Sequence, residues 1–200
     1  MQKSVACHLT RKELIADRVF TKSIGIITFL LLITLGAFVY IPLPFTPVPV
    51  TLQTFFVLLG AAFLTKKDSV FVQGLYAGLG AIGLPIFSAA QGGLLKLFGP
   101  TGGYILGFIL AIFGLKQMLN YFSKKSSKLT YPQVVISMTI AMFGIYFLGG
   151  LWLAITLKFS FSQVIMLGVV PFIPGEVVKV LLAAAIYYKA NDRLKNLFQN

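Results

Sequence analysis

Apolar residues run through this chain in long blocks, not at the spacing of a soluble amphipathic helix or the alternation of a half-buried strand. Six blocks stand out, near 23–41, 50–65, 70–87, 102–119, 132–157 and 164–189. Crossing about 30 Å of hydrocarbon takes about 20 residues at a rise of about 1.5 Å, so each block approaches the length of a membrane span. The sixth contains Pro171 and the pair Pro174-Gly175. Proline removes a backbone donor and crowds the preceding turn, so this block is predicted to be a helix starting at Pro174 behind a short irregular segment. Before the first block, residues 1–22 carry Arg11, Lys12, Glu13, Asp17 and Arg18. These charges leave no continuous apolar core for a signal peptide, and the segment reads as a cytoplasmic amphipathic lead-in.

The predicted architecture is therefore an all-α integral membrane protein, a compact bundle of six transmembrane helices over 23–190, with a short tail at 191–200. Its orientation follows from the basic residues. Placing both termini, the second-to-third loop and the fourth-to-fifth loop on one side gathers 14 of the 17 Lys and Arg, including Lys66, Lys67, Lys116, Lys124, Lys125 and Lys128. Lys96 and Lys158 fall opposite, and Lys179 lies inside the sixth block. Both termini are thus expected to be cytoplasmic. Three Pro- and Gly-rich segments, at 41–50, 91–104 and 171–176, then share the outer side. Irregular backbone at membrane depth persists only where it is buried in protein or lines a cavity, which points to an outward-facing ligand site.

Composition agrees. The chain is 58% hydrophobic and 11% charged, well beyond the apolar share of soluble domains. A net charge of +12 would suggest nucleic acid in a soluble protein, but here the basic residues sit at the ends of apolar blocks, and nucleic-acid binding is not expected. No G-x-x-x-x-G-K-[ST] loop occurs, so nucleotide hydrolysis by that route is excluded. The single Cys7 and single His8 offer neither an internal disulfide nor a His-rich metal site.

The candidate chemistry lies in Glu176 and Lys179, one helical turn apart in an apolar block. A charge at the bilayer centre costs about 2.5–3.5 kcal/mol, so a chain keeps one there only for a partner, a cavity or a ligand. Near a helix start, Glu176 gains from free N–H groups and the positive dipole end, and Lys179 follows on the same face. The pair can bind a molecule that carries both N–H donors and a carboxylate, or it can be an internal ion pair that only neutralises two charges. Gln53 and Gln91 can add polar contacts or serve as interhelical and loop residues. Tyr76, Tyr104 and Trp152 can wall an apolar pocket or anchor the interface. Gly74 with Gly78, and Gly103 with Gly107, have the small-xxx-small spacing of packed helices. No nucleophile, second carboxylate or metal cluster accompanies the pair, so an enzyme is not expected.

The order Pro-x-Pro-Phe-x-Pro-Val-Pro-Val-Thr-Leu-Gln at 42–53, Gly-Leu-Pro at 83–85, Gly92-Gly93, Phe-Gly-Pro-Thr-Gly-Gly-Tyr at 98–104 and Phe-Ile-Pro-Gly-Glu-Val-Val-Lys at 172–179 closely resembles the BioY family. These are the biotin-binding S components of energy-coupling factor (ECF) transporters. The resemblance spans about 40–190 and implies a six-helix membrane bundle that binds biotin with high affinity in a bacterial cytoplasmic membrane. It also implies that Lys179 meets the biotin carboxylate and Glu176 the ureido head, with Gln91 and Gln53 completing the polar shell and Tyr104 beside them. No cofactor of its own is implied. Uptake would be energised by a transmembrane coupling subunit and two ATPases that use ATP. Two departures from the family pattern matter: Glu176 stands where Asp is usual and Gln91 where Asn is usual, each one methylene longer. The first helix carries Ser23, Gly25, Thr28, Thr34, Gly36 and Ala37 without the AxxxA spacing of the family's docking face. A subunit for another small vitamin, and a small membrane enzyme, are the alternative readings.

Overall fold

The computed structural model describes residues 2–125 and 128–198, with side-chain surroundings over 19–125 and 128–190. Side chains of most of the lead-in and of the tail, including Cys7 and His8, lie outside the described residues. Helix α1 (Gln2–Phe38) runs without a break from the lead-in through the first apolar block. A two-residue hairpin follows, β1 (Tyr40–Ile41) antiparallel to β2 (Val50–Thr51), and then the short helices α2 (Gln53–Phe63) and α3 (Lys66–Ala81). After a loop holding α4 (Leu94–Leu97) come the long helices α5 (Gly102–Lys125) and α6 (Tyr131–Leu157), then α7 (Phe161–Gly168) and α8 (Ile173–Phe198).

Among the described residues, four stretches are long and apolar enough to cross a membrane: Val19–Phe38, Gly102–Lys125, Tyr131–Leu157 and Phe161–Ala190. The second and third predicted spans are shorter than expected. Helix α2 has 11 residues and α3 has 16, about 16 and 24 Å at a rise of about 1.5 Å. The cause lies at one end, where β2 takes up Val50 and Thr51 and delays the start of α2 to Gln53. The sixth block differs as well. Its helix begins at Ile173, with Pro174 in the first turn, but the segment before it is ordered helix, α7 and a 3-10 turn at Val170–Phe172, and not irregular chain.

Caps explain several boundaries. Thr65 accepts from the Asp68 N–H at the start of α3, and capping boxes of Thr130 with Gln133 and Ser160 with Gln163 open α6 and α7. Glycines set the closest packing, between α5 and α6. A Cβ on Gly103 would collide with Trp152, and one on Gly107 would lie 2.8 Å from the Ile145 Cα. Gly74 and Gly78 have the same spacing but face outward, with nothing within 4 Å of a Cβ at either, so the packing role expected for that pair is corrected. Gly36 on α1 faces α2, where a Cβ would lie 3.0 Å from the Gln53 backbone nitrogen, and Ala37 is fully buried. These small residues thus serve the bundle's interior. Lys116 is no loop residue: it is buried within α5, and its Nζ donates to the Ala62 carbonyl at 3.1 Å, near the C-terminal end of α2.

Candidate functional site

The three Pro- and Gly-rich segments converge at the end of the bundle where α2, α5 and α8 begin. There a cleft encloses about 570 Å³, its mouth included. Its walls are aromatic and aliphatic, with Tyr76, Phe87, Tyr104, Phe108, Tyr146 and Phe172 among them, and its polar groups are Thr51, Gln53, Thr54, Ser88, Thr101 and Glu176. A cleft that is mostly apolar, with a few converging polar groups, suits a small organic ligand.

Glu176 and Lys179 are both buried, at 7% exposure each, and form an ion pair on the first turns of α8. Thr54 completes a triangle. Its hydroxyl lies 2.9 Å from Glu176 Oε2 and accepts from Lys179 Nζ at 2.9 Å. Lys179 also donates to the Thr51 carbonyl at 2.8 Å. An ammonium has three donors and no acceptor, so Thr51, Thr54 and Glu176 occupy all of them. Glu176 faces the cleft, whereas Lys179 lies behind it, tied to β2.

Gln53 sits at the start of α2 and donates its amide to the Tyr76 hydroxyl at 2.6 Å, and Tyr76 in turn donates to the Ile86 carbonyl at 3.1 Å. Tyr104 packs into a notch over Gly149, where a Cβ would meet its ring, and its hydroxyl donates to the Gly168 carbonyl at 2.8 Å. The Tyr104 and Tyr146 rings meet edge to face at 6.0 Å, and Tyr146 continues to Phe172 at 6.0 Å. Tyr76 and Tyr104 therefore wall the cleft. Trp152 instead donates to the Gly99 carbonyl at 2.9 Å and holds the loop before α5.

Gln91 is not brought into this group: its side chain is exposed, and its carbonyl accepts the Phe87 N–H at 2.9 Å. Between them Ala89 and Ala90 take left-handed φ angles of 61° and 52°. The buried polar residue of that loop lining the cleft is Ser88, next to the buried Phe87. Thr54, Ser88 and Tyr146 are the site residues that sequence reasoning missed. An isolated hydroxyl in an apolar block gives no signal of its own.

The bundle has the fold of a membrane-embedded S component. A crystal structure titled as the S-component for biotin from an ECF-type ABC transporter aligns with a TM-score of 0.80 at 23% identity, covering 92% of this chain and 97% of that one. The sequence is narrower still: residues 9–196 match the sequence model of the BioY family, and the chain belongs to that family. The biotin transporter BioY of Thermotoga maritima is 39% identical over 158 residues, 79% of this chain and 88% of that protein. The probable biotin transporter BioY of Pyrococcus horikoshii is 36% identical over 161 residues, with the same coverages of 79% and 88%. The chain is a multi-pass membrane protein of a transporter family, and its named relatives are transporters, not enzymes.

Proposed function

We propose that this chain is the biotin-binding membrane subunit of an ECF-type transporter. Glu176 carries the reading: a buried carboxylate, backed by a lysine, presented to an aromatic cleft. The ureido ring of biotin supplies two N–H donors to such a carboxylate, its bicyclic body and chain suit the aromatic walls, and its valerate ends in an anion. Glu176 accepts from the ureido nitrogens, with Ser88 and Gln53 as further polar contacts and Tyr104 as a wall. Lys179 meets the ligand carboxylate by exchanging one of its three present acceptors. Gln91 contacts the ligand only if the 87–91 turn rearranges.

In this reading α1, α2, α3, α5, α6 and α8 cross a bacterial cytoplasmic membrane with both termini inside, and the cleft opens outward. The basic-residue asymmetry supports that orientation. The chain brings no cofactor. A transmembrane coupling subunit and two ATPases supply the energy, since the chain lacks a P-loop.

The test is equilibrium binding of biotin to the purified protein in detergent, wild type beside Lys179→Ala. Tight binding that collapses in the folded variant supports ligand and contact together. Tight binding that persists returns Lys179 to a structural ion pair. No binding by folded wild type removes biotin and favours another vitamin.

A further inference from the structure

At the opposite end of the bundle, α3 and α5 form a second, open concavity. It is lined by Lys66, Lys67, Val70, Phe71 and Phe113, two cations beside three apolar side chains with no acid among them. The ammonium of Lys66 sits 4.0 Å from the centre of the Phe113 ring, which places its charge on the groove wall. The neighbouring acid, Asp68, is turned to its own helix cap, accepting the Thr65 hydroxyl at 2.6 Å. Phe71 and Phe113 are 55% and 43% exposed, so the groove presents aromatic surface outward.

Helix α5 continues twelve residues beyond Phe113 to Lys125, about 18 Å at a rise of about 1.5 Å, so the two lysines sit well back from that helix's end. Exposed cations beside an apolar, outward-facing surface attract an anionic headgroup at the membrane interface. An apolar wall running away from the cations needs a hydrocarbon. One molecule meets both demands.

We propose that this groove binds an anionic phospholipid, with its phosphate on Lys66 and Lys67 and an acyl chain along Val70, Phe71 and Phe113. The bound lipid neutralises the two lysines and covers the exposed aromatic surface of Phe71 and Phe113. This site is separate from the cleft at Glu176 and does not depend on the ligand bound there.

Native mass spectrometry of the detergent-purified protein, titrated with dioleoylphosphatidylglycerol or dioleoylphosphatidylcholine, tests it. Wild type is expected to retain phosphatidylglycerol over phosphatidylcholine. Lys66→Gln/Lys67→Gln is expected to weaken phosphatidylglycerol binding by about fivefold per lysine, the loss of about 1 kcal/mol each. Lys124→Gln/Lys125→Gln removes the same charge from the exposed end of α5 and is expected to leave binding unchanged. Equal losses in the two double variants would mean diffuse surface charge and overturn the proposal. Equal competition by glycerol 1-phosphate would mean a free-phosphate site and overturn it too. Full lipid retention by Lys66→Gln/Lys67→Gln, with loss of a co-purified coupling subunit, would give the groove to a protein partner instead. All four lysines are exposed, and helix content by circular dichroism checks that each variant is folded.

Discussion

Thr54 and Glu176 lie 122 positions apart, yet one hydroxyl joins them, donating to the carboxylate at 2.9 Å while accepting from Lys179. The ion pair is therefore tied across the bundle, α8 to α2, and through the Thr51 carbonyl to β2. Removing Lys179 alone leaves a buried, uncompensated carboxylate, which typically costs about 3–5 kcal/mol. Lys179→Met should lower the thermal midpoint sharply. Glu176→Gln/Lys179→Met should recover most of that stability and still fail to bind biotin. Recovery of binding along with stability would show that the pair only neutralises itself.

Ser88 and Gln91 separate what the structure places from what the family resemblance implies. Gln91 is exposed, and substitutions at such positions shift free energies by no more than about 0.5 kcal/mol, so Gln91→Ala should leave the biotin Kd within about twofold. Ser88→Val removes a buried hydroxyl on the cleft wall, and one lost hydrogen bond of about 1–1.5 kcal/mol should weaken binding close to tenfold. Calorimetry on both variants reads the difference. The reverse order would mean that the 87–91 turn refolds around the ligand.

Tyr104 serves the cleft through its ring and the fold through its hydroxyl. Tyr104→Phe keeps the wall and strips the Gly168 carbonyl of its partner, a loss of about 1–3 kcal/mol for a buried acceptor. The expected result is a lower thermal midpoint with biotin affinity changed less than the stability. A variant of unchanged midpoint but much weaker binding would make the hydroxyl a ligand contact.

The Glu176–Lys179 pair was legible because a charge inside an apolar block is improbable, and the i, i+3 spacing places both on one face. Thr54 was not legible, because hydroxyls recur throughout such blocks and only folding sets this one beside a carboxylate. The exposed position of Gln91 was not legible for a different reason. Glycine announces a left-handed turn, but Ala89 and Ala90 take positive φ without any compositional mark. The apolar blocks located the helices, yet two of them overstate their length: β2 and a loop share the apolar residues of the second and third.

The two glycine pairs show most plainly what spacing leaves open, and they make the last contrast. Gly103 and Gly107 face α6, whereas Gly74 and Gly78 face outward, although both pairs read G-x-x-x-G. A methyl group at Gly107 meets the Ile145 backbone, which cannot swing aside as a side chain can, so Gly107→Ala should cost about 1–3 kcal/mol through overpacking. At Gly74 a methyl group meets nothing, and replacing a mid-helix glycine by alanine favours the helix by about 1 kcal/mol. Gly74→Ala should therefore leave the thermal midpoint in detergent unchanged or raised, while Gly107→Ala lowers it. A destabilised Gly74→Ala protein would mean that this face packs against a second molecule, such as another copy of the chain, and adding purified coupling subunit to each variant would show whether that face is used in assembly.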